Sequence, residues 1–144
     1  DLSRANLQDA NLAYANLQGA NLEGARLRAA KLSSADLSKA NLRNADLCKA
    51  DLTETNLSGA DMTGAHADGT EMFRADLRGA ILRQASFVAA NLRNAEVRDA
   101  DFQGADLKTT ILRETNLEGV DLSGLDLSTT LLPRGYKPAT PARN

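Results

Sequence analysis

Aromatic residues are scarce in this sequence, and their scarcity limits the kind of core that the chain can build. Only 3% of the 144 residues are aromatic, and Trp is absent. Globular cores usually take much of their buried area from large rings. Because 42% of the residues are nevertheless hydrophobic, the core must consist largely of Leu and Ala, which need a regular arrangement to pack well.

Three further absences exclude classes of protein. A single Cys rules out an internal disulfide framework and a cysteine-cluster metal site. With 17 basic and 19 acidic residues the net charge is −2, too small for a strong field toward nucleic acid or an anionic membrane. No apolar run approaches the roughly 20 residues that a membrane span needs. We therefore expect no metal, no cofactor, no membrane and no nucleic-acid partner.

The sequence also lacks a signal peptide and begins at Asp1 without Met. This beginning indicates either a processed form or an excised fragment of a longer protein. The compartment therefore stays open. We favour the cytoplasm, while the periplasm or the thylakoid lumen requires that a signal has been removed.

A repeat of five residues occupies most of the chain. Counting in fives from Leu2 to Leu132, one position is Leu in 21 of 27 cases, and we call it the large slot. The position two residues earlier, the small slot, is Ala in 19 of 26 cases and Thr in five. Between them lies the Asx slot, which is Asn or Asp in 18 of 27 cases. We expect these Asn and Asp side chains to bond nearby turn backbone rather than to act in catalysis.

The spacing of the slots predicts short extended segments joined by bends. An α-helix turns about 500° over five residues, so the Leu side chains would spiral around every side of it. The small and large slots are two residues apart, which is the strand period that places both side chains on one face. Nine of the ten Gly residues follow the large slot by two places, where a type II turn requires positive φ.

The run that starts Ala5-Asn6-Leu7 and continues in register to Thr130 resembles the pentapeptide-repeat family in its Ala-Asn/Asp-Leu form. The resemblance covers residues 1–132. It implies an all-β fold, a right-handed quadrilateral β-helix with four repeats in each coil and about 6.5 coils in all. Glycine is concentrated after two of the four resulting large-slot columns. This concentration predicts glycine-type turns at two corners and differently shaped turns at the other two.

The repeat stops near the C-terminus. Residues 133–144 contain all three Pro residues and no repeat, so we assign the β-helix to 1–132 and a capping or disordered tail to 133–144. Val120 and Leu125 enlarge the small slot just before this end. We favour a cap in which Tyr136 folds over the last coil. A homodimer that forms through a terminal coil is the alternative.

Cys48 and His66 are each the only residue of their type, and a Cys–His pair can in principle activate a thiolate. The two residues lie one coil apart on opposite flanks of the large slot, which places them too far apart for a hydrogen bond. Flat faces also offer no cleft that excludes water. We therefore predict that the chain is not an enzyme, and we assign no catalytic, cofactor-binding or metal-binding residue.

Seven side chains form a candidate partner-binding surface. Two are aromatic residues in outward positions of one column, and exposed aromatic residues often anchor partners. Five are arginines. Arg74 ends the stretch 66–74, which departs most from the repeat, and the other four stack in pairs on two neighbouring columns, where like charges need compensation. A tolerated irregularity and a salt-bridged solvated face are the alternatives that need no partner. The candidate residues are Tyr14, Phe73, Arg74, Arg78, Arg93, Arg98 and Arg113.

The predicted function is a non-catalytic interaction or scaffolding module for a protein partner of unknown identity. The family resemblance also implies a rival, a DNA mimic that regulates or inhibits DNA gyrase, as quinolone-resistance members do. Such a mimic needs a strongly acidic rod with charges spaced like phosphates, whereas this chain has a net charge of −2 and stacked arginines. The Leu-rich large slot is closer to the form of the family that is abundant in cyanobacteria.

Overall fold

Short parallel bridges replace conventional strands in this fold. A computed structural model describes residues 1–137, and the rest of the predicted tail lies outside the described residues. Residues 1–137 contain no helix and no strand longer than a single bridge. Each bridge joins residues 20 positions apart, from Asn6 with Arg26 to Ile111 with Leu131. The all-β prediction is therefore confirmed.

The interval of 20 residues means that four pentapeptides complete one coil, as the resemblance implied. The coil has four faces, which we number by the first residue of each bridge column: Asn6 for face 1, Asn11 for face 2, Asn16 for face 3 and Asn21 for face 4. The corner that follows each face takes the same number. Successive coils on a face lie about 4.8 Å apart, so the rod is roughly 30 Å long.

Backbone groups pair along the rod axis. In a regular coil the N–H of the large slot donates to the next coil, as Leu27 does to the carbonyl of Asp46 at 2.7 Å. The N–H of the Asx slot donates to the preceding coil, as Asp46 does to Ala25 at 2.9 Å. Each coil therefore satisfies the backbone groups of its neighbours, and the interior needs no water to pair them.

The large and small slots fill the interior, as the strand period predicts. Leu47 has no exposed surface, and burial of such a Leu contributes roughly 1.5–3 kcal/mol. Phe87 and Phe102 pack with ring centroids 6.1 Å apart. Hydroxyls in the small slot donate to backbone carbonyls, as Thr55 does to Leu32 at 2.7 Å. Within residues 1–137, no buried side-chain nitrogen or oxygen lacks a hydrogen-bond partner.

All four corners share one turn type, which corrects the prediction of two types. From residue 4 to residue 124, every residue two places after a large slot has positive φ, whether or not it is Gly. Ala5 closes the first turn by donating its N–H to the carbonyl of Leu2 at 3.0 Å, which together with the positive φ makes a type II turn. A non-Gly residue in this region costs roughly 1–2 kcal/mol. Tyr14, at φ 63°, also donates its N–H to Ser33 in the next coil at 3.0 Å, and such bonds offset the cost.

The coil at residues 117–132, which we call the terminal coil, loses part of this order. No bridge forms at Asp121 or Asp126, although both continue columns that are bridged in the coils below. The ladder resumes only at Leu131, which pairs with Ile111. Residues 21–116 keep the full pattern on all four faces, and we call them the regular coils.

Larger side chains explain the displacement of the terminal coil. Val120 and Leu125 occupy small slots immediately before the two unbridged positions, and both are partly exposed. A cross-section that fits Ala does not admit Val or Leu without moving the backbone, so the chain is displaced from the coil below. Tyr136 packs against the core from beyond this coil, as predicted.

Candidate functional site

The Asx slot has a structural role throughout the described chain. Each of its 18 Asn or Asp side chains accepts a hydrogen bond from the backbone N–H two residues later, as Asp46 does from Cys48 at 3.0 Å. These bonds fix the first residue of every type II turn that follows. The expectation that these Asn and Asp side chains bond nearby turn backbone is confirmed.

Hydrogen bonds lower the pKa of two carboxylates of this slot, those of Asp36 and Asp76. The hydroxyl of Ser38 donates to Asp36 at 2.6 Å, and this bond and the Ser38 N–H lower the pKa of Asp36. The guanidinium of Arg78 lowers the pKa of Asp76 by hydrogen bonds to both of its carboxylate oxygens. Because donors that stabilise the ionised form surround these groups, they stay charged.

Cys48 and His66 come into contact but do not form a catalytic pair. The Cys48 thiol lies 3.8 Å from the backbone carbonyl of His66 and can donate to it, which corrects the expectation that the two residues lie too far apart for a hydrogen bond. Burial, and then the hydrogen bond with Asp46, raise the pKa of the Cys48 thiol. Nucleophilic cysteines need a lowered pKa and an adjacent base. The surroundings of Cys48 therefore keep it protonated and do not activate it.

Asp68 has a role that sequence reasoning missed. It lies outside the Asx slot, yet its Oδ1 accepts the N–H of Val88, one coil higher, at 3.0 Å and also the hydroxyl of Ser86. Position 86 is an Asx slot that holds Ser, so the Val88 N–H lacks the usual local acceptor. Asp68 supplies that acceptor from the coil below. The sequence contained a signal for this contact, because Ser86 replaces Asn or Asp in an Asx slot while Asp68 lies nearby in the preceding coil.

The structure brings five of the seven predicted partner-binding residues onto corner 2. Hydrogen bonds connect this corner from coil to coil, with the Arg74 N–H donating to the carbonyl of Arg93 at 3.2 Å. Arg78 and Arg98 lie on corner 3, across face 3 from that row. The residues on corner 2 are Tyr14, Phe73, Arg74, Arg93 and Arg113.

The aromatic residues of corner 2 differ in exposure. Tyr14 is 80% exposed at the N-terminal end of the rod. Phe73, three coils higher, is half-buried, and the guanidinium of Arg74 lies over its ring at 5.9 Å from the centroid. Arg74 also approaches Glu54 at 3.6 Å. Cation–π contact and ion pair together hold Arg74 against the corner.

Most arginines of the candidate surface have acidic neighbours. Arg78 pairs with Asp76 at 2.6 Å, and Arg98 lies 4.0 Å from Glu118. Both arginines are largely exposed, so each pair contributes little to stability. These contacts fit the interpretation of a salt-bridged solvated face for corner 3.

The C-terminal end of corner 2 is different. Arg93 pairs with Glu114 at 2.8 Å, but among residues 1–137 no carboxylate lies within 4.0 Å of Arg113 or Arg134. Arg113, Glu114 and Arg134 line a shallow depression of about 280 Å³ together with Leu132. Sequence reasoning placed Arg134 in the tail and did not connect it with this surface.

Two other properties of the described residues bear on the kind of site. No helix in residues 1–137 has the length and apolarity to cross a membrane. In the same part of the chain, no group of three His, Cys, Asp or Glu residues is arranged to hold a metal ion.

Comparison with known proteins gives a consistent result across nearly the whole length. A family model described as pentapeptide repeats matches in eight copies, over residues 1–28, 30–66, 70–108 and 98–132. No curated protein matches the chain in sequence. The similarities below are to solved structures.

Two of these structures come from the cyanobacterium Nostoc PCC 7120. HetL, a pentapeptide repeat protein involved in heterocyst differentiation regulation, is 27% identical, with 93% of this chain and 81% of HetL covered and a TM-score of 0.40. A second pentapeptide repeat protein, alr5209, is 34% identical, with 71% of this chain and 77% of alr5209 covered and a TM-score of 0.41. A third structure is that of QnrB1, a plasmid-mediated fluoroquinolone resistance protein. It is 16% identical, with 84% of this chain and 78% of QnrB1 covered and a TM-score of 0.47.

Proposed function

We propose that this chain, which belongs to the pentapeptide-repeat family of right-handed β-helices, is a non-catalytic module that binds a partner protein along corner 2. The inward slots are restricted to a few residue types and the outward positions are free to vary. A rod built this way presents side chains on a rigid frame, and rigid presentation lowers the entropy cost of binding.

The row of side chains on corner 2 is the observation that carries the proposal. Tyr14 is exposed at one end, Phe73 lies under Arg74 in the middle, and Arg93 and Arg113 follow toward the other end. Tyr, Phe and Arg are enriched at interface centres, whereas Lys and Glu are depleted there. A flat corner with anchors of these types suits a protein surface better than a small substrate, which needs a concave pocket.

DNA mimicry is the rival that the family raises, and the charge distribution does not favour it. The chain carries 17 basic and 19 acidic residues, and arginine pairs with carboxylate on several faces, for example Arg43 with Asp61 at 3.2 Å. A duplex mimic needs an uncompensated acidic surface. The likeness to QnrB1, at 16% identity, concerns the fold alone.

Affinity capture with matched variants tests the proposal. The chain is immobilised and exposed to a lysate of the organism that encodes it, next to a Phe73→Ser, Arg74→Ser variant and an Arg43→Ser control on corner 4. We expect a protein that the native chain and the control retain and that the corner 2 variant loses about tenfold. Equal retention by all three proteins contradicts the proposal. Inhibition of gyrase-catalysed DNA supercoiling that all three share supports the rival.

A further inference from the structure

We propose that the partner presents an acidic segment with aliphatic side chains, and that this segment binds at the C-terminal end of corner 2. The inference rests on the proposed function and adds the chemistry of the partner and the place where it binds. The surface, which we call the C-terminal patch, consists of Ile111, Arg113, Leu131, Leu132 and Arg134.

The first observation is a pair of apolar residues on a face whose other Asx slots are polar. Ile111 and Leu131 occupy Asx slots of face 2 and are bridged to each other, so their side chains lie side by side on the outside of the rod. Leu131 is 42% exposed. The five earlier Asx slots of this face hold Asn11, Lys31, Asp51, Glu71 and Asn91.

The aliphatic side chain at position 111 has a cost for the fold that a structural role does not explain. Asn or Asp there could accept the N–H of Arg113, as all 18 Asn and Asp side chains of the slot accept the N–H two residues later. Leu131 precedes Pro133, which has no N–H to donate, so no such bond is lost there, but Leu131 exposes apolar surface beside the partly buried Ile111. Neighbouring apolar side chains at a rigid surface are typical of interaction sites.

The second observation is a pair of cations beside the apolar pair. Arg113 and Arg134 line one depression with Leu132, and neither has a carboxylate within 4.0 Å among residues 1–137. Glu114, the acidic residue of the same depression, is held by Arg93. Two exposed guanidinium groups that have no carboxylate partner among residues 1–137 attract carboxylates, which they bind in bidentate geometry.

The apolar pair decides in favour of a peptide over a nucleic acid. Phosphates also bind arginine, but a sugar–phosphate backbone gains little from Ile111 and Leu131. Binding of single strands usually also needs exposed rings on which bases stack, and Tyr136, the ring at this end, packs against the core. A segment that alternates acidic and aliphatic side chains matches both halves of the patch.

Fluorescence anisotropy with a defined probe tests this inference. The probe is a short labelled peptide of Glu and Leu, titrated with the full chain at low salt. We expect saturable binding that weakens about tenfold in an Arg113→Gln, Arg134→Gln variant. An Arg28→Gln, Arg43→Gln variant, with the same change in charge on corners 1 and 4, should bind as the native chain does. Equal loss in both variants overturns the inference, because it indicates a general charge effect.

A second variant isolates the apolar half without threatening the fold. Ile111→Asn supplies an acceptor for the Arg113 N–H, and Leu131→Asn changes a side chain that is 42% exposed, so the double variant should stay folded while its peptide affinity falls several-fold. Unchanged affinity in this variant overturns the apolar part of the proposal. A poly-Ser peptide with the same number of Leu residues should not bind, and its binding also counts against the proposal.

Two further arms separate this inference from the proposed function. Single-stranded DNA that binds as tightly as the peptide, and that is lost in the arginine variant, assigns the patch to a phosphate polymer and overturns the peptide. A partner that is captured equally by the native chain and by the Arg113→Gln, Arg134→Gln variant leaves the proposed function standing and overturns the inference. Loss of capture only in the Phe73→Ser, Arg74→Ser variant likewise supports the proposed function and overturns the inference about the C-terminal patch.

Discussion

Face 1 is bridged from Asn6 to Asp106, but its next position, Asp126, forms no bridge. Asp106 and Asp126 are the same residue type in the same slot and on the same face. Asp106, in the regular coils, is bridged to the preceding coil, whereas Asp126, in the terminal coil, is not. Asp126 still accepts the N–H of Ser128 at 3.0 Å, as Asp106 does that of Lys108 at 3.1 Å. The Asx hydrogen bond is therefore common to both regions. The contact between coils differs, and so does the turn, because Thr129 lacks the positive φ of Thr109.

We attribute the contrast to the size of the small slot. In the regular coils this slot holds Ala or Thr, and backbone bonds between coils measure 2.6–3.2 Å, as in the bond of 2.7 Å from the Leu82 N–H to Asp101. In the terminal coil Val120 and Leu125 fill two of its positions, and within residues 1–137 the corresponding amides of Phe102 and Leu107 have no backbone acceptor. The amide of Val97 also has none, so the loss of contact begins one face before Val120. Asx turns shape each coil, whereas the small slot decides whether the coil rests on its neighbour.

Truncation of one large slot in each region should give the largest difference. Leu47 is fully buried, whereas Leu127, in the same column of the terminal coil, is partly exposed. Leu47→Ala should lower the free energy of unfolding by about 2–5 kcal/mol, because it leaves a cavity between two coils. Leu127→Ala should cost about 1 kcal/mol, because its environment can collapse and part of the side chain is already hydrated. Urea denaturation followed by circular dichroism measures both, and equal costs contradict the comparison.

Exchange of small-slot residues between the regions should give the next largest effect. Ala80 is 1% exposed and lies in the same small-slot column as Val120. Ala80→Val therefore introduces into a regular coil the side chain that the terminal coil has at this position. We expect a loss of about 1–3 kcal/mol from overpacking, together with faster amide hydrogen exchange of the neighbouring bridge at Ile81.

The converse change should repair the terminal coil. Val120→Ala with Leu125→Ala removes the bulk that displaces the chain, and the Phe102 amide should then bond to the carbonyl of Asp121 and exchange about tenfold more slowly. Ser123→Ala, an exposed change in the same coil, is the control. Exchange at Phe102 that stays as fast as in the native chain means that small-slot size is not the cause.

Much of this organisation could be predicted from the sequence, because it depends on residues that are close together in the chain. The five-residue repeat identifies the slots, and the distance of two residues between the small and large slots places both inside the rod. The Asx bonds span two residues and are equally local. The number of repeats in each coil came from the resemblance, since periodicity alone does not specify it. The corners were predicted wrongly, because glycine was interpreted as a marker of turn type.

Close approach between coils explains where part of that glycine occurs. Every corner requires positive φ, and residues such as Asn44 and Asp99 adopt it. Gly64 follows Asn44 one coil higher, and a Cβ there would lie 2.4 Å from the Oδ1 of Asn44. That distance depends on a residue 20 positions away and on its side-chain conformation. For the same reason the position of Arg134 beside Arg113 could not be predicted from the sequence.

Acidification should affect both regions alike, because the Asx bond is local. Hydrogen bonds from Ser38 lower the pKa of Asp36 in a regular coil, and those from Ser123 lower the pKa of Asp121 in the terminal coil. A carboxyl with a lowered folded-state pKa contributes stability above its unfolded pKa, about 3.9, and loses it as the pH falls through the folded value. Stability should therefore be constant near neutrality and decrease below about pH 4.

Asn substitutions test whether these bonds are equivalent. Asn accepts the same N–H but does not titrate, so Asp36→Asn and Asp121→Asn should each make unfolding less sensitive to acid to a similar extent. The measurement is the midpoint of acid unfolding by circular dichroism, with Asp9→Asn, whose side chain lies outside the Asx slot, as control. A larger effect at Asp36 than at Asp121 indicates that stacking of coils, and not the local bond, determines the shift.

The smallest expected effect concerns the one place in the regular coils where a turn bond comes from another coil. Asp68→Ala removes the acceptor of the Val88 N–H and should cost about 1 kcal/mol. In a Ser86→Asn background the side-chain carbonyl oxygen of the new residue can accept the Val88 N–H locally. Asp68→Ala should then cost only a few tenths of a kcal/mol. A double-mutant cycle in urea measures the difference. Positive coupling means that a regular coil can replace a local bond by one between coils, which the displaced terminal coil cannot do. Equal costs of Asp68→Ala in the two backgrounds contradict this interpretation, because they mean that a local acceptor at position 86 does not replace Asp68.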